Sequence, residues 1–147
     1  MENNDVFTVR PAGRHLLTIG KDLIQDKFAA LVELVKNSYD ADSEDVIISF
    51  VGNYERNGLD ILIEDHGHGM SRTDVVNKWL VPSTSYKVEN RKSPNGRIMQ
   101  GRKGIGRYAA SILGEELYLE TTDKFGNMTS LYINWEDFEN AEYLRCV

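Results

Sequence analysis

Three groups of residues in this chain have types and spacings suited to chemistry. In the segment Glu33-Leu34-Val35-Lys36-Asn37-Ser38-Tyr39-Asp40-Ala41, the polar residues Glu33, Asn37 and Asp40 are spaced by four and then three positions. At about 100° per helical residue they fall within an arc of roughly 60°. A carboxylate and an amide oxygen one turn apart can hold a water and a hard cation side by side, and magnesium prefers such oxygen donors. A plain solvated helix face has the same pattern. Ala29, Ala30 and Ala41 flank this face and leave it uncrowded.

The second group is Asp65-His66-Gly67-His68-Gly69-Met70. An aspartate at a strand end can accept a hydrogen bond from an exocyclic amine, and glycines beside it let a flat ring approach the backbone. Adenine offers both features, although an ordinary strand-to-turn corner reads the same way. The third is Gly101-Arg102-Lys103-Gly104-Ile105-Gly106 ahead of a helix. It presents backbone N–H groups and the positive helix end to an anion such as phosphate; a glycine-rich turn built for close packing is the alternative. It is neither the dinucleotide fingerprint nor a Walker loop.

Other residues carry less. His66 and His68 form a His-x-His, but a metal site needs further ligands within reach. Lys36, Lys87, Arg102 and Lys103 are candidates for phosphate contact or for simple solvation. Asp60 and Asp65 lie five apart on one strand and point to opposite faces, so they do not form a carboxylate pair. Cys146 is the only cysteine, which excludes an internal disulfide and a thiolate zinc cluster.

These groups need elements to position them. Residues 6–10 and 16–19 suit short strands, and Gly20 breaks the pattern before Asp22, an expected N-cap. The recurrence of Ile24, Phe28, Leu31, Val32 and Val35 predicts an amphipathic helix over 23–40, with this stripe facing the core. Two β-rich runs, 46–51 and 59–64, flank a stretch ending in Asn57-Gly58 and predict a hairpin that delivers Asp65. Ser71 and Asp74 form an expected capping box with Asp in place of Glu, starting a short helix through Trp79 that Pro82 closes. From Pro82 to Gly101 the chain is polar, with four basic residues, and is longer than an idle loop should be. A helix to about Leu113 capped by Gly114, then a hairpin of 117–122 and 128–135 around 124–127, complete the pattern. There is no internal repeat and no linker.

Length and composition fit one domain over residues 1–147: a hydrophobic share of 41% in 147 residues closes one core. The charged share of 27% is that of a water-soluble chain. No apolar run approaches the roughly 20 residues that span a bilayer, so no membrane contact is expected. The polar N-terminus does not read as a secretory signal, making the cytoplasm the default location. A net charge of −6 argues against direct nucleic-acid contact by this domain.

Taken in order, Glu-x-x-x-Asn-x-x-Asp-Ala, Asp-x-Gly-x-Gly-Met, a polar segment and Gly-x-x-Gly-x-Gly resemble the GHKL superfamily of gyrase B, the heat-shock-protein-90 chaperones, MutL and the histidine kinases. The resemblance spans residues 16–119. It implies the Bergerat fold, an α/β (α+β) two-layer sandwich with helices on one face of a mixed sheet, binding ATP or ADP with Mg²⁺. By the same implication Glu33 is the general base and Asn37 the Mg²⁺ ligand, with Asp40 and Ala41 lining the pocket. Asp65 holds the adenine amine, with Gly67, Gly69 and Met70 against the base. Residues 82–103 form the ATP lid, opened by Ser83, Thr84 and Ser85. Gly101, Arg102, Lys103, Gly104, Ile105 and Gly106 meet the phosphates.

Histidine kinases carry asparagine where Glu33 stands, since transfer to histidine needs no activated water. Glu33 therefore favours an ATPase over a phosphotransfer domain; a nucleotide-sensing module without catalysis is the third reading. The Gly-Thr segment of the ATPases has no counterpart before Val147, so the chain is expected to be an N-terminal fragment, and the isolated fragment to hydrolyse slowly or not at all. By analogy, ATP would close the lid and drive homodimerisation of a larger protein. Gly-Arg-Lys-Gly-Ile-Gly-Arg-Tyr is most similar to bacterial heat-shock-protein-90-like ATPases, some linked to phage defence.

Overall fold

The structure is a computed structural model that describes residues 14–15, 17–18, 22, 24, 26–53, 55, 57–81, 91–101 and 106–140. The expected strand 6–10, the lid from 82 to 90, and Arg102, Lys103, Gly104 and Ile105 lie outside them.

Helix α1 spans Lys27–Asp40. Its N-cap is Asp26, not Asp22: Asp26 has extended backbone, with φ −160°, and its Oδ1 accepts the Ala29 N–H at 2.8 Å. Asp22 is itself helical, as are Arg14, His15, Leu17 and Thr18, where a strand was expected. Thr18 Oγ1 donates to the Arg14 carbonyl at 2.9 Å, the i to i−4 bond by which Thr tolerates a helix. The apolar side chain that made 16–19 read as a strand, Leu17, is instead fully buried against Tyr108, Ala110, Ile133 and Trp135.

Strands β1, Val46–Asn53, and β2, Gly58–Asp65, form the first antiparallel hairpin, in a register that sets Val46 opposite Asp65 and Asn53 opposite Gly58. Asn57 at φ 49° makes the expected turn. Helix α2, Arg72–Asp74, opens with the expected reciprocal Ser71 and Asp74 capping box and continues as a π-helical turn, Val75–Trp79. A 3-10 turn at Gly106–Ala109 leads into helix α3, Ala110–Leu113. Strands β3, Glu116–Thr122, and β4, Met128–Asn134, form the second antiparallel hairpin. Trp135, expected to end that hairpin, instead opens helix α4, Trp135–Asn140, because Asn134 Oδ1 caps it by accepting the Glu136 and Asp137 N–H groups at 3.0 and 3.1 Å.

The described residues thus contain helices and two separate two-stranded antiparallel sheets, an α/β composition in which no strand bridges the hairpins. Two apolar clusters hold it together. One is centred on Leu17, Tyr108, Ala110, Ile133 and Trp135, with Phe138 edge-on to Trp135 at 5.6 Å. The other joins Ile24, Ala30 and Ala109.

The buried face of α1 is not the expected stripe. Ala30, Ser38 and Asp40 are its buried residues, whereas Phe28 is 80% and Val32 52% exposed. Leu31, Val32, Val35 and Tyr39 line an open apolar cleft of about 380 Å³ shared with Ile48 of β1. The helix seats on the 3-10 turn through Ala30 and Ala109, both fully buried. Two alanines in contact let two backbones approach closely, and that approach turns the polar side of α1 inward.

Candidate functional site

The close seating of α1 brings two of the sequence groups together. A Cβ built at Gly106 would stand 3.2 Å from Glu33 Oε2 and 3.9 Å from Asn37 Nδ2. The end of the glycine segment therefore lies directly on the polar face of the helix. Glu33 Oε1 accepts from Lys36 Nζ at 2.6 Å, with about a third of each side chain exposed. Lys36 is thus tied to the carboxylate on its own helix.

The second group is moored to the C-terminal end of α1. Asp65, the last residue of β2, accepts from Ser38 Oγ at 2.7 Å with Oδ2 and from the Gly67 N–H at 2.9 Å with Oδ1. Ser38 is 3% exposed, so this bond fixes the carboxylate against the helix. The His68 N–H donates to the Ala41 carbonyl at 2.8 Å. Gly67 packs on Ala41 so closely that a Cβ would meet its carbonyl oxygen at 2.6 Å. Gly69 has φ +63° and would drive a Cβ to 1.8 Å from the Thr122 carbonyl oxygen. Only glycine fits there. The adjacent Met70 N–H donates to Thr121 Oγ1 at 2.9 Å, which docks the loop on β3.

The third attachment lies just beyond the helix. Asp40, 3% exposed, accepts from the Gln100 N–H at 2.7 Å and the Gly101 N–H at 3.0 Å. Asp42, at φ 65°, ends the helix and turns its carboxylate to accept from Ser93 Oγ and from the Asn95 N–H at 3.0 Å. Arg97 donates to the Ser43 carbonyl at 2.6 Å and lies over the Tyr39 ring at 5.1 Å. Desolvation works to raise the pKa of Asp42, but the Ser93 and Asn95 hydrogen bonds and the Arg97 charge outweigh it and hold the carboxyl below its ordinary value of 3.8.

Among the described residues no group of three or more His, Cys, Asp or Glu gathers into a metal cluster. His66 Nδ1 lies 3.2 Å from Asp45, and His68 Nδ1 lies 2.9 Å from the Gly69 carbonyl. The donor chemistry at the Glu33 and Asn37 face is one carboxylate and one carboxamide. That suits a hard cation whose remaining ligands are water and the oxygens of a bound anion.

The sequence of this chain has counterparts among known proteins. Residues 25–145 match the sequence model of the histidine kinase-, DNA gyrase B- and HSP90-like ATPases. The chain belongs to this family. It is also similar to a putative type II restriction enzyme, HgiDII, of Herpetosiphon aurantiacus, with 35% identity over 75 residues. That stretch is 51% of this chain and 11% of the relative, so the chain spans only a small part of that protein.

Of the family's candidate residues in this chain, Glu33, Asn37 and Gly106 come together, and Asp65, Gly67, Gly69, Met70 and Ala41 form a second contiguous patch linked to them through Ser38. Asp40 and Gly101 meet each other. Ser83, Thr84, Ser85, Arg102, Lys103, Gly104 and Ile105, with Lys87 and Cys146, fall outside the described residues. Sequence reasoning missed Ser38, Thr121 and Asp42. The first had a faint signal, a polar residue beside Asn37 on a helix. The other two had none, because their partners lie 51 or more positions away. No helix of the described residues is long and apolar enough to cross a membrane.

Proposed function

We propose that the chain binds ATP with Mg²⁺ and hydrolyses it, with the polar face of α1 as the reaction centre. The observation that carries this reading is the contact of Gly106 with Glu33 and Asn37, on the helix that also fixes Asp65 through Ser38. One helix then spans the ligand from base to phosphate. Asp65 accepts from the exocyclic amine of adenine, while Gly67, Gly69 and Met70 offer backbone close to the ring. The segment from Gly101 to Gly106, with Arg102, Lys103, Gly104 and Ile105, supplies N–H groups and positive charge to the phosphates.

Asn37 presents its amide oxygen to the metal. Mg²⁺, when bound, neutralises phosphate charge and polarises the γ-phosphoryl group. Glu33 takes the proton of a water that attacks the γ-phosphorus as the bond to the ADP oxygen breaks; the products are ADP and phosphate. Lys36 Nζ, 2.6 Å from Glu33 Oε1, orients the carboxylate on the helix face.

In the wider protein, lid residues 82–103, including Ser83, Thr84 and Ser85, close over ATP and couple it to homodimerisation. Similarity to part of a putative type II restriction enzyme supports a place as one domain of a larger, restriction-enzyme-like protein. The activity is tested by calorimetry with and without Mg²⁺ and by phosphate release from the longest natural chain. Binding at sub-millimolar ATP is expected, and Glu33→Gln should keep binding while lowering turnover about 10²- to 10⁴-fold. Equal turnover in wild type and Glu33→Gln would remove Glu33 from the role of base.

A further inference from the structure

Asp40 completes the polar face of α1, yet both of its carboxylate oxygens are directed to backbone. Oδ1 accepts from Gln100 and Oδ2 from Gly101, one oxygen to each of two consecutive N–H groups. The residue is 3% exposed, so these charge-assisted bonds are shielded from water. Gly101 begins the glycine segment, and Gly106, which ends it, rests on Glu33 and Asn37. The segment is therefore referenced to α1 at both ends. Two positions further, Asp42 holds Ser93 and Asn95, so the approach to Gly101 hangs on the same helix terminus.

We infer that Asp40 is a positioning residue, acting through the Gln100 and Gly101 backbone to fix where the glycine segment begins relative to α1, and is not itself a ligand of metal or nucleotide. The inference rests on the ATP-binding reading above and sharpens it. The Asp40 carboxylate holds the start of the glycine segment, so its loss should be felt by the phosphates and not by the base.

The test is calorimetry on the full chain with adenosine, ADP and ATP, each with and without Mg²⁺, comparing wild type with Asp40→Asn. The amide keeps the shape and one acceptor but faces the other N–H with a donor. Affinity for ADP and ATP should fall about tenfold, in line with loss of one hydrogen bond to a charged group. Adenosine affinity should stay within about twofold of wild type, and the Mg²⁺ concentration giving half-maximal ATP binding should not move. Amide exchange should quicken at Gln100 and Gly101 while α1 stays protected.

A shifted Mg²⁺ requirement would make Asp40 a metal ligand and overturn the inference. So would an equal loss for adenosine and ATP. If Asp40→Asn does not fold, Gln100→Pro deletes one donor of the clasp from the exposed side and carries the same expectation. A wild-type chain that binds adenosine and both nucleotides equally would refute the positioning role while leaving adenine recognition intact. One that binds none of the three would end the ATP reading itself, and the inference with it.

Discussion

At the residue scale, the site depends on groups whose importance lies in what they hold. Asp65 is the proposed acceptor for the adenine amine, and its orientation comes from Ser38 Oγ, buried and 2.7 Å away. Ser38→Ala removes that donor and should weaken ATP binding roughly tenfold, the worth of a hydrogen bond to a charged group, with Glu33-dependent turnover per bound nucleotide unchanged. Calorimetry and saturated phosphate release together separate the two effects, and an unchanged dissociation constant would show that Asp65 needs no such support. Gly69 makes a harsher demand, since both its φ of +63° and the Thr122 carbonyl forbid a side chain. Gly69→Ala should cost upwards of about 2 kcal/mol in a urea melt, because backbone must move to admit the methyl group. A loss within about 0.5 kcal/mol, the range of ordinary surface substitutions, would contradict the close approach.

At the element scale, α1 organises the molecule by offering different residues to different partners. Ala30 seats the helix on the 3-10 turn, Glu33 and Asn37 meet Gly106, Ser38 meets Asp65, and Asp40 and Asp42 hold the 93–101 stretch. This last attachment carries a pH dependence. Asp42 is held below its ordinary 3.8 in the folded protein, so its contribution is fully present above that value and is lost as pH falls through the lowered folded pKa. The groups that face it are Ser93, Asn95, Arg97 and His68. The Asn95 amide, which donates to Asp42, should show an NMR titration with a midpoint below 3.8. Asp42→Asn should abolish it. A midpoint at or above the ordinary value would mean that the clasp does not favour the charged carboxylate.

At the scale of the whole molecule, an open apolar face stands apart from the site. Phe28 and Val32 of α1 and Phe50 of β1 are 80%, 52% and 59% exposed. Side chains that bury little contribute little, so Phe28→Ser and Phe50→Thr should change unfolding free energy by no more than about 0.5 kcal/mol while lowering binding of a hydrophobic dye. A drop of several kcal/mol would show that these residues are packed. The sequence by itself determined the local features: a long helix with Glu33, Asn37 and Asp40 on one face, two hairpins, the Ser71 and Asp74 capping box, and the three segments that mark the ATPase family. Each is set by spacing within about one turn, one strand or one loop, where periodicity and turn chemistry act directly. Only the tertiary structure decided which face of α1 is buried, that residues 14–18 are helical where they are described, and that Asp40 holds Gly101. The apolar stripe of Phe28, Leu31, Val32 and Val35 misled because a helix buries the face its neighbours can reach most closely. Here the small residues Ala30 and Ala109 permit that closest approach, and their contact is set by chain segments nearly eighty residues apart, beyond the reach of any local pattern.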